Sequence, residues 1–252
     1  MRGVLVTGAS RGIGRAVAEA FAARGDRVAV HYGSSREDAE QTVRGLTGDG
    51  HVMVDGDLGD PRAASDVAAT AVSSLGAVDV LINNAALAPT AATRHAITEV
   101  DYDDWVSIWR RTFEVNLFGA ANVSWAVARH LVDRGATGSI VNVGSRGAFR
   151  GEPEHPAYGA SKAALHAMGQ SLAVALAPHG IAVSTVAPGF VATQRQSAAL
   201  AGADGDALRG QSPFGRVGTP AEVAAAVLYL ASPEAAWSSG AILDVNGASY
   251  LR

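Results

Sequence analysis

The sequence predicts a single-domain α/β fold, a doubly wound parallel sheet of about seven strands flanked by helices on both faces. Short apolar runs alternate with amphipathic segments of helical period from one end of the chain to the other. Several of these runs are apolar throughout, as in strands that are covered on both faces. No composition break, low-complexity linker or internal repeat divides the 252 residues, so residues 1–252 are predicted to form one domain.

The predicted elements follow this alternation. The predicted strands are Val4–Val6, Arg27–Tyr32, His51–Val54, Val78–Ile82, Ser139–Val143, Ala182–Ala187 and Ala241–Val245. The main predicted helices are Gly14–Ala23, Ser35–Leu46, Pro61–Leu75, Tyr102–Leu131, Ala157–Ala177 and Pro220–Ala231. With right-handed crossovers, these elements place helices on both faces of the sheet.

Local residue patterns support some of the boundaries. Asp60 followed by Pro61 indicates an N-cap with proline in the first helical position. Ser34 and Glu37 have the spacing of a capping box. The least regular segments are Leu87–Val100 and Val191–Gly218, and the second is predicted to be a mobile lid over a site, residues 191–218.

The composition excludes several function classes. Hydrophobic residues make up 48% of the chain and charged residues 17%, which is ample for a buried core. A net charge of -4 gives no basic surface for nucleic acid. The absence of cysteine excludes disulfides, thiolate metal sites and a cysteine nucleophile. No apolar run approaches the roughly 18 residues that span a bilayer, so we expect a soluble, cytoplasmic protein without membrane partners.

The first predicted strand runs directly into a glycine-rich turn, Thr7–Gly14, and a helix follows. In a βαβ unit such glycines let the backbone approach a pyrophosphate, which the helix N-terminus then attracts. The spacing is Gly-x-x-x-Gly-x-Gly, which differs from the usual Gly-x-Gly-x-x-Gly. A tight turn without a ligand is the alternative interpretation.

The end of the second strand predicts the cofactor. Enzymes that use NAD usually place an acid there to bind the ribose 2′-hydroxyl, but here the strand end is His31, Tyr32 and Gly33, and no acid follows until Glu37. Arg11, Ser34, Ser35 and Arg36 instead offer guanidinium and hydroxyl groups for a 2′-phosphate. NADP(H) is therefore the preferred cofactor, with NAD(H) as the alternative. In the competing interpretation the two serines cap a helix and Arg36 faces water.

Four polar residues suggest proton-transfer chemistry. Tyr158 and Lys162 are four residues apart on a predicted helix, so they share one face. An ammonium next to a phenol lowers the phenol pKa and makes it a usable acid and base. Ser145 ends a strand, where its hydroxyl can bind a substrate oxygen, and Asn116 lies within a helical run that it does not favour. Singly, each could be an ordinary surface, turn or helix residue.

Taken together, these motifs resemble the short-chain dehydrogenase/reductase family over essentially the whole chain, especially 3-oxoacyl-(acyl-carrier-protein) reductases. The matching stretches are Thr7–Gly14, Asp57-Leu58, Asn83–Ala86, Asn116, Ser145, Tyr158-x-x-x-Lys162, Pro188-Gly189, Gly215–Glu222 and Asp244–Gly247. Ala86 departs from the glycine that is usual in the family. The Leu87–Asp104 stretch and the 150–155 loop border the expected substrate cleft, so they leave the substrate open.

The resemblance implies a Rossmann fold and a role for each matching residue. Tyr158 is the acid and base, and Lys162 lowers its pKa and holds the nicotinamide ribose. Ser145 orients the substrate oxygen, and Asn116 places a water in a proton relay. The implied cofactor contacts, together with the residues at the ribose end, are Gly8, Ser10, Arg11, Gly12, Ile13, Gly14, Tyr32, Ser34, Ser35, Arg36, Asp57, Leu58, Asn84, Ala85, Tyr158, Lys162, Pro188, Gly189, Val191 and Thr193. For Asp57 the alternative is a second acid near a helix start.

The expected activity is the reversible interconversion of a carbonyl and an alcohol on a small molecule, without a metal. A 3-oxoacyl thioester ranks first as substrate, and a sugar, polyol or other secondary alcohol ranks second. A non-catalytic NADP-sensing regulator is the alternative from another class, but a sensor does not need the full proton relay. The family also implies a homotetramer or homodimer that assembles through the helices containing Asn116 and Tyr158.

Overall fold

The structure, a computed structural model, describes residues 1–252 except for the side chains of Arg195, Ala198 and Ala199. One parallel sheet of seven strands runs through it in the order β3-β2-β1-β4-β5-β6-β7, which confirms the predicted fold class. The strands are β1 Gly3–Val6, β2 Arg27–Tyr32, β3 Val52–Asp55, β4 Val80–Asn83, β5 Gly138–Val143, β6 Ile181–Pro188 and β7 Ile242–Val245.

Helices connect the strands. The α-helices are α1 Gly12–Ala22, α2 Arg36–Gly45, α3 Pro61–Leu75, α4 Tyr102–Phe113, α5 Ala120–Asp133, α6 Gly147–Arg150, α7 Pro156–Leu176, α8 Ser197–Ala201, α9 Gly205–Gly210 and α10 Pro220–Leu230. Short 3₁₀ helices cover Ala91–Thr93, Ala177–His179, Gln194–Gln196 and Pro233–Ser238, and a π-helix covers Glu114–Gly119. Within the described part of the chain, no helix combines the length and apolar character needed to cross a bilayer.

The sheet is buried on both faces because neighbouring residues of each strand point in opposite directions. In β1, Val4 and Val6 pack into one apolar cluster with α1 and α10. Leu5 points the other way, into a cluster with α3 and α5. This explains why the strands are apolar throughout.

One local prediction is wrong. The predicted capping box of Ser34 and Glu37 does not form: α2 begins after Ser35, whose side chain caps no residue that the structure describes. The predicted helix Tyr102–Leu131 is found as one uninterrupted helical run of α4, the π-helix and α5, although the π-helical turn within it was not predicted. By contrast, Asp60 caps α3 as predicted, since its side chain accepts a hydrogen bond from the Arg62 amide at 2.9 Å.

The sheet order places a crevice at the carboxyl ends of the central strands. The chain leaves β1 toward β2 on one side and returns to β4 on the other, so the crossovers diverge between β1 and β4. Ligands of doubly wound folds bind at this switch point. The glycine-rich turn follows β1, Asn84 follows β4, and Ser145 lies just beyond β5.

Candidate active site

The glycine-rich turn is fixed by side chains from the strands beside it. The Thr7 hydroxyl is buried, accepts hydrogen bonds from the Asn84 and Ala85 amides at 2.9 and 3.0 Å, and donates to the Ile82 carbonyl at 3.2 Å. The Asn84 side-chain amide donates to the carbonyls of Thr7 and Gly8 at 2.9 and 3.0 Å. Asn84 therefore holds the shape of the turn, and its predicted contact with a cofactor remains a prediction.

Two glycines of this turn are required by geometry. Gly8 has a φ of +62°, and a Cβ there would lie 2.8 Å from the Ala85 Cα. A Cβ on Gly14 would lie 2.3 Å from the Gly8 carbonyl oxygen. The turn leads into the N-terminus of α1, where the Arg11 side chain makes no capping bond with the described residues. The first backbone amides of α1 are therefore not capped by the Arg11 side chain, which suits the pyrophosphate of a dinucleotide.

His31 also shapes the turn, and its role was not anticipated from the sequence. Its Nδ1 accepts a hydrogen bond from the Gly8 amide at 3.0 Å, so its Nε2 donates to the Gly56 carbonyl, also at 3.0 Å. Burial lowers the pKa of His31 and outweighs the opposing effects of Gly56, Asp55 and Asp57, so the ring stays neutral in this role. A histidine in an otherwise apolar strand was the signal in the sequence.

The ribose end of the crevice is far more open. Tyr32 is buried at the end of β2, and its hydroxyl accepts a long hydrogen bond of 3.4 Å from Arg36. Arg36 is exposed and pairs with Glu40 at 3.0 Å, while Arg11 lies 3.7 Å from the Asp38 carboxylate. The structure thus brings Arg36 to the end of β2, near the exposed Ser34, although acids on α2 partly offset the positive charge.

Asp57 and Leu58 follow β3 and form the next wall. Leu58 is buried, whereas Asp57 is exposed and bound by the Arg111 guanidinium of α4 at 2.6 Å. Partial burial acts to raise the pKa of Asp57, but hydrogen bonds from the Gly59 amide and Arg111 outweigh it and lower that pKa. The sequence suggested either a cofactor contact or an acid near a helix start for Asp57, and neither interpretation included this ion pair.

Tyr158 and Lys162 lie together in the first turns of α7, as their spacing predicts. The Lys162 Nζ is 5.8 Å from the centre of the Tyr158 ring and donates to the Val143 carbonyl at 2.8 Å. Lys162 is only 3% exposed, and burial lowers its pKa from 10.5 to about 8. The ammonium is therefore charged at neutral pH, yet close to the range in which it can release a proton.

Asn116 lies in the π-helix and faces the interior, which excludes a solvent-facing role. It is 1% exposed, and its Oδ1 accepts from the Leu87 amide at 2.7 Å. Its Nδ2 donates to the Leu87 carbonyl at 3.3 Å and to the Ser161 hydroxyl at 3.0 Å, and Ser161 in turn donates to the Tyr158 carbonyl. π-Helical turns are frequent at functional sites. Ser161 is a member of this network that the sequence analysis did not identify.

Ser145 lies just beyond β5, and its hydroxyl oxygen accepts a hydrogen bond from the Gly147 amide at 3.0 Å. That bond uses the oxygen as an acceptor and leaves the hydroxyl hydrogen able to turn toward a substrate oxygen. The backbone amide of Ser145 donates to Nε2 of the buried His166 at 3.4 Å. Burial, Lys162 and Arg252 lower the pKa of His166 to about 4, so this histidine is neutral at physiological pH.

The remaining predicted contacts lie on the loop after β6 and on the turn itself. Gly189 donates to the Val245 carbonyl at 3.0 Å, so the loop is tied to β7. The Thr193 methyl group lies 3.3 Å from where a Cβ on Gly12 would stand, which brings residues 188–193 against the glycine-rich turn. Val191 forms a bridge with Gly218. Ser10 is buried in the turn, Ile13 lies in the first turn of α1, Ala85 follows β4, and Pro188 ends β6.

Comparisons with known proteins agree with this geometry. Residues 8–248 match the family model described as enoyl-(acyl carrier protein) reductase. L-rhamnose 1-dehydrogenase (NAD(P)(+)) of Sphingomonas sp. is 39% identical over 98% of this chain and 96% of its own. The 3-oxoacyl-(acyl-carrier-protein) reductase of Vibrio cholerae is 36% identical over 98% and 96%. A short-chain dehydrogenase from Burkholderia cenocepacia in complex with NADP superposes with a TM-score of 0.86, at 32% identity over 98% and 97%.

Proposed function

The chain belongs to the short-chain dehydrogenase/reductase family of NAD(P)-dependent oxidoreductases, and we propose that it interconverts a carbonyl and an alcohol with NADP(H). The observation that carries this proposal is the buried Lys162 ammonium beside Tyr158, at the carboxyl end of β5. A charged lysine at this distance favours the phenolate form of the tyrosine. A sensor without chemistry would have no use for that arrangement.

In the proposed reduction, Tyr158 donates a proton to the carbonyl oxygen of the substrate. The Ser145 hydroxyl donates a hydrogen bond to the same oxygen while negative charge develops there, which is when a fixed donor is most effective. Lys162 stabilises the phenolate that remains. Asn116 holds the start of α7 through Ser161, and we propose that it also orders a water by which the site regains its proton.

The crevice fits a dinucleotide. Its pyrophosphate would lie against the amides of Gly12, Ile13 and Gly14, and the nicotinamide ribose against Tyr158 and Lys162. We propose that Pro188, Gly189, Val191 and Thr193 line the nicotinamide end. The bound cofactor supplies or accepts the hydride at the substrate carbon.

A preference for NADP(H) is supported by the end of β2. The strand ends at Tyr32 without an acid to bind a 2′-hydroxyl, and Arg36 lies within hydrogen-bonding distance of the Tyr32 hydroxyl. Ser34 is exposed beside it. The similar Burkholderia cenocepacia structure is a complex with NADP.

We propose two candidate substrate classes. A 3-oxoacyl thioester is the first candidate, supported by the likeness to 3-oxoacyl-(acyl-carrier-protein) reductase. A sugar or polyol is the second candidate. It is supported by the likeness to L-rhamnose 1-dehydrogenase, which is 39% identical to this chain, against 36% for the 3-oxoacyl-(acyl-carrier-protein) reductase.

We also propose a lid and a self-association surface. Residues 191–218 leave and re-enter the fold at one point, where the Ala192 amide donates to the Gly218 carbonyl at 2.8 Å, as suits a lid that closes over the crevice. Phe118, Trp125 and Val174 are large exposed apolar residues on the predicted interface helices. They support a homodimer or homotetramer, which light scattering after size-exclusion chromatography would measure.

The test follows nicotinamide absorbance with NADPH and NADH over a panel of 3-oxoacyl thioesters, sugars and simple ketones. We expect turnover that prefers NADPH and is abolished in Tyr158→Phe, with the cofactor Kd of the variant little changed. The preferred member of the panel then identifies the substrate class. Full turnover by Tyr158→Phe would overturn the assigned proton donor, and a preference for NADH would overturn the cofactor proposal alone.

A further inference from the structure

A cavity of about 210 Å³ lies between residues 208–218 and the end of β7. Its wall includes Arg146, Phe190, Gln211, Asp244 and Asn246. None of the four proposed catalytic residues lines it. It is therefore a separate space next to the proposed carbonyl site, and Arg146 immediately follows Ser145 in the sequence.

Arg146 is the unusual member of this wall. It is only 5% exposed, and its Nη2 donates to the Gln211 side-chain oxygen. Its Nη1 is buried and has no hydrogen-bond partner among the described residues. Burial lowers the pKa of Arg146, and the guanidinium nevertheless remains protonated. A buried cation of this kind is costly unless an anion compensates it.

The other charges around the cavity are already paired. Arg216 binds Glu222 at 2.6 Å. Asp244 binds Arg252 at 3.0 Å, which leaves its second carboxylate oxygen, Oδ1, buried and without a partner among the described residues. Arg146 forms no ion pair within that same part of the chain. The cavity thus offers one uncompensated cationic donor and one unused acceptor.

We propose that this cavity binds a small organic or inorganic anion, with a carboxylate or phosphate oxygen accepting from Arg146 Nη1. An anion that also carries a hydroxyl, or a bound water beside it, would donate to the free oxygen of Asp244. A cavity of this size has room for more than a single water, so the ligand can be a small group of several heavy atoms.

Arg146 connects this cavity both to the end of β6 and to the 191–218 segment. Its backbone amide donates to the Pro188 carbonyl at 3.0 Å, and its side chain reaches Gln211 in the 191–218 segment. A bound anion would therefore draw the proposed lid and the Ser145 turn together. The anion is either a separate molecule or the acidic end of the substrate itself.

Isothermal titration calorimetry on the cofactor-loaded protein tests the proposal, with malonate, acetate and inorganic phosphate as probes and malonamide as the uncharged control, at constant ionic strength. We expect saturable binding of at least one anion and none of malonamide. Gln211→Glu keeps the shape of the side chain but supplies Arg146 with an internal carboxylate, so we expect at least tenfold weaker binding. Arg146→Gln should abolish binding, and Arg129→Gln should leave it unchanged, since Arg129 is exposed on α5 and does not line the cavity.

The proposal is overturned if the wild type binds none of the three anions. It is also overturned if Gln211→Glu and Arg146→Gln bind them as strongly as the wild type does. The cofactor Kd of each variant shows whether it is folded. Turnover of uncharged ketones measured in parallel separates this inference from the proposed oxidoreduction, which stands if turnover persists without anion binding. Competition between the bound anion and an acidic substrate indicates that the site takes the substrate's own acid group, whereas independent binding indicates a separate anion; both outcomes support the site.

Discussion

The glycine-rich turn and the corner at the end of β2, which we propose faces the cofactor ribose, lie at the ends of neighbouring strands, β1 and β2, but they are built differently. In the turn, buried side chains of Thr7, His31 and Asn84 hold the backbone through hydrogen bonds between distant parts of the chain. In the corner, Ser34 and Arg36 are exposed, and the contacts of Arg36 are an ion pair on its own helix and one long bond to Tyr32.

The proposed catalytic network is built like the turn. Lys162 and Asn116 are buried, and each bonds to backbone groups of another element. A buried polar group that loses its partner costs the full free energy of its desolvation, whereas exposed ion pairs contribute little. Changes in the buried regions should therefore alter both stability and chemistry, and changes in the corner should alter only cofactor choice.

The largest effect is expected for Lys162→Met. The variant removes the ammonium beside Tyr158, so we expect kcat/KM to fall by roughly 10³-fold, the scale of general acid–base catalysis. The cofactor Kd should also rise, because Lys162 is proposed to bind the ribose. Steady-state kinetics and a fluorescence titration of NADPH measure the two effects. An unchanged Kd would contradict the ribose contact, and an unchanged kcat/KM would contradict the catalytic one.

The same residue permits a direct pKa measurement, because the chain contains nineteen arginines and a single lysine. Protein labelled with ¹³C at the lysine ε-carbon should give one side-chain resonance, titrating near pH 8 in the absence of cofactor. In the unfolded state the pKa of Lys162 is near 10.5. Between pH 8 and 10.5 the unfolded state therefore binds more protons than the folded state. The stability of the wild type relative to Lys162→Met should therefore rise with pH across that window. A resonance that titrates at pH 10 or above would contradict the buried environment.

A medium effect is expected for Thr7→Val, which keeps the shape of the side chain but removes its hydroxyl. The Asn84 and Ala85 amides would lose their acceptor, and an unsatisfied buried donor costs about 1–3 kcal/mol. We expect the free energy of unfolding to fall by about 2 kcal/mol, and cofactor binding to weaken as the turn relaxes.

Urea unfolding of Thr7→Val and of Thr70→Val provides the measurement and its control. Thr70 is exposed on α3, so the same substitution there should change stability by less than about 0.5 kcal/mol. Equal effects at both positions would show that the turn is not held by the Thr7 hydroxyl.

How far the sequence alone predicts the structure depends on the range of the interactions. The strands and the pairing of Tyr158 with Lys162 depend on residue periodicity, and the structure agrees with both. The cap of α2 and the π-helical turn at Asn116 depend on exact backbone angles or on contacts between distant segments. The predicted cap was therefore wrong, and the π-helical turn within the correctly predicted helix was not anticipated. The ring of His31 likewise binds Gly8 and Gly56, which are distant in the chain.

The single lysine was a signal that composition already contained. Arginine stays protonated under all physiological conditions, whereas burial readily shifts the pKa of a lysine. In this chain the other nineteen basic side chains besides histidine are arginines, and the one lysine is buried at the place where we propose a proton is transferred. Counting residue types would thus have singled out Lys162 without any motif, although not its bond to the Val143 carbonyl.

The smallest effect on the fold, and the sharpest test of the comparison, is expected for Arg36→Ala. Its guanidinium is exposed, so thermal unfolding should be unchanged, as in the control Arg44→Ala at the other end of α2. The ratio of kcat/KM for NADPH to that for NADH should nevertheless fall by about tenfold, because a charge-assisted bond to the 2′-phosphate is lost. High salt should reduce the wild-type preference in the same direction, since exposed charges are screened. A ratio that is unchanged in Arg36→Ala would place the selectivity in the buried turn and remove the distinction between the two regions.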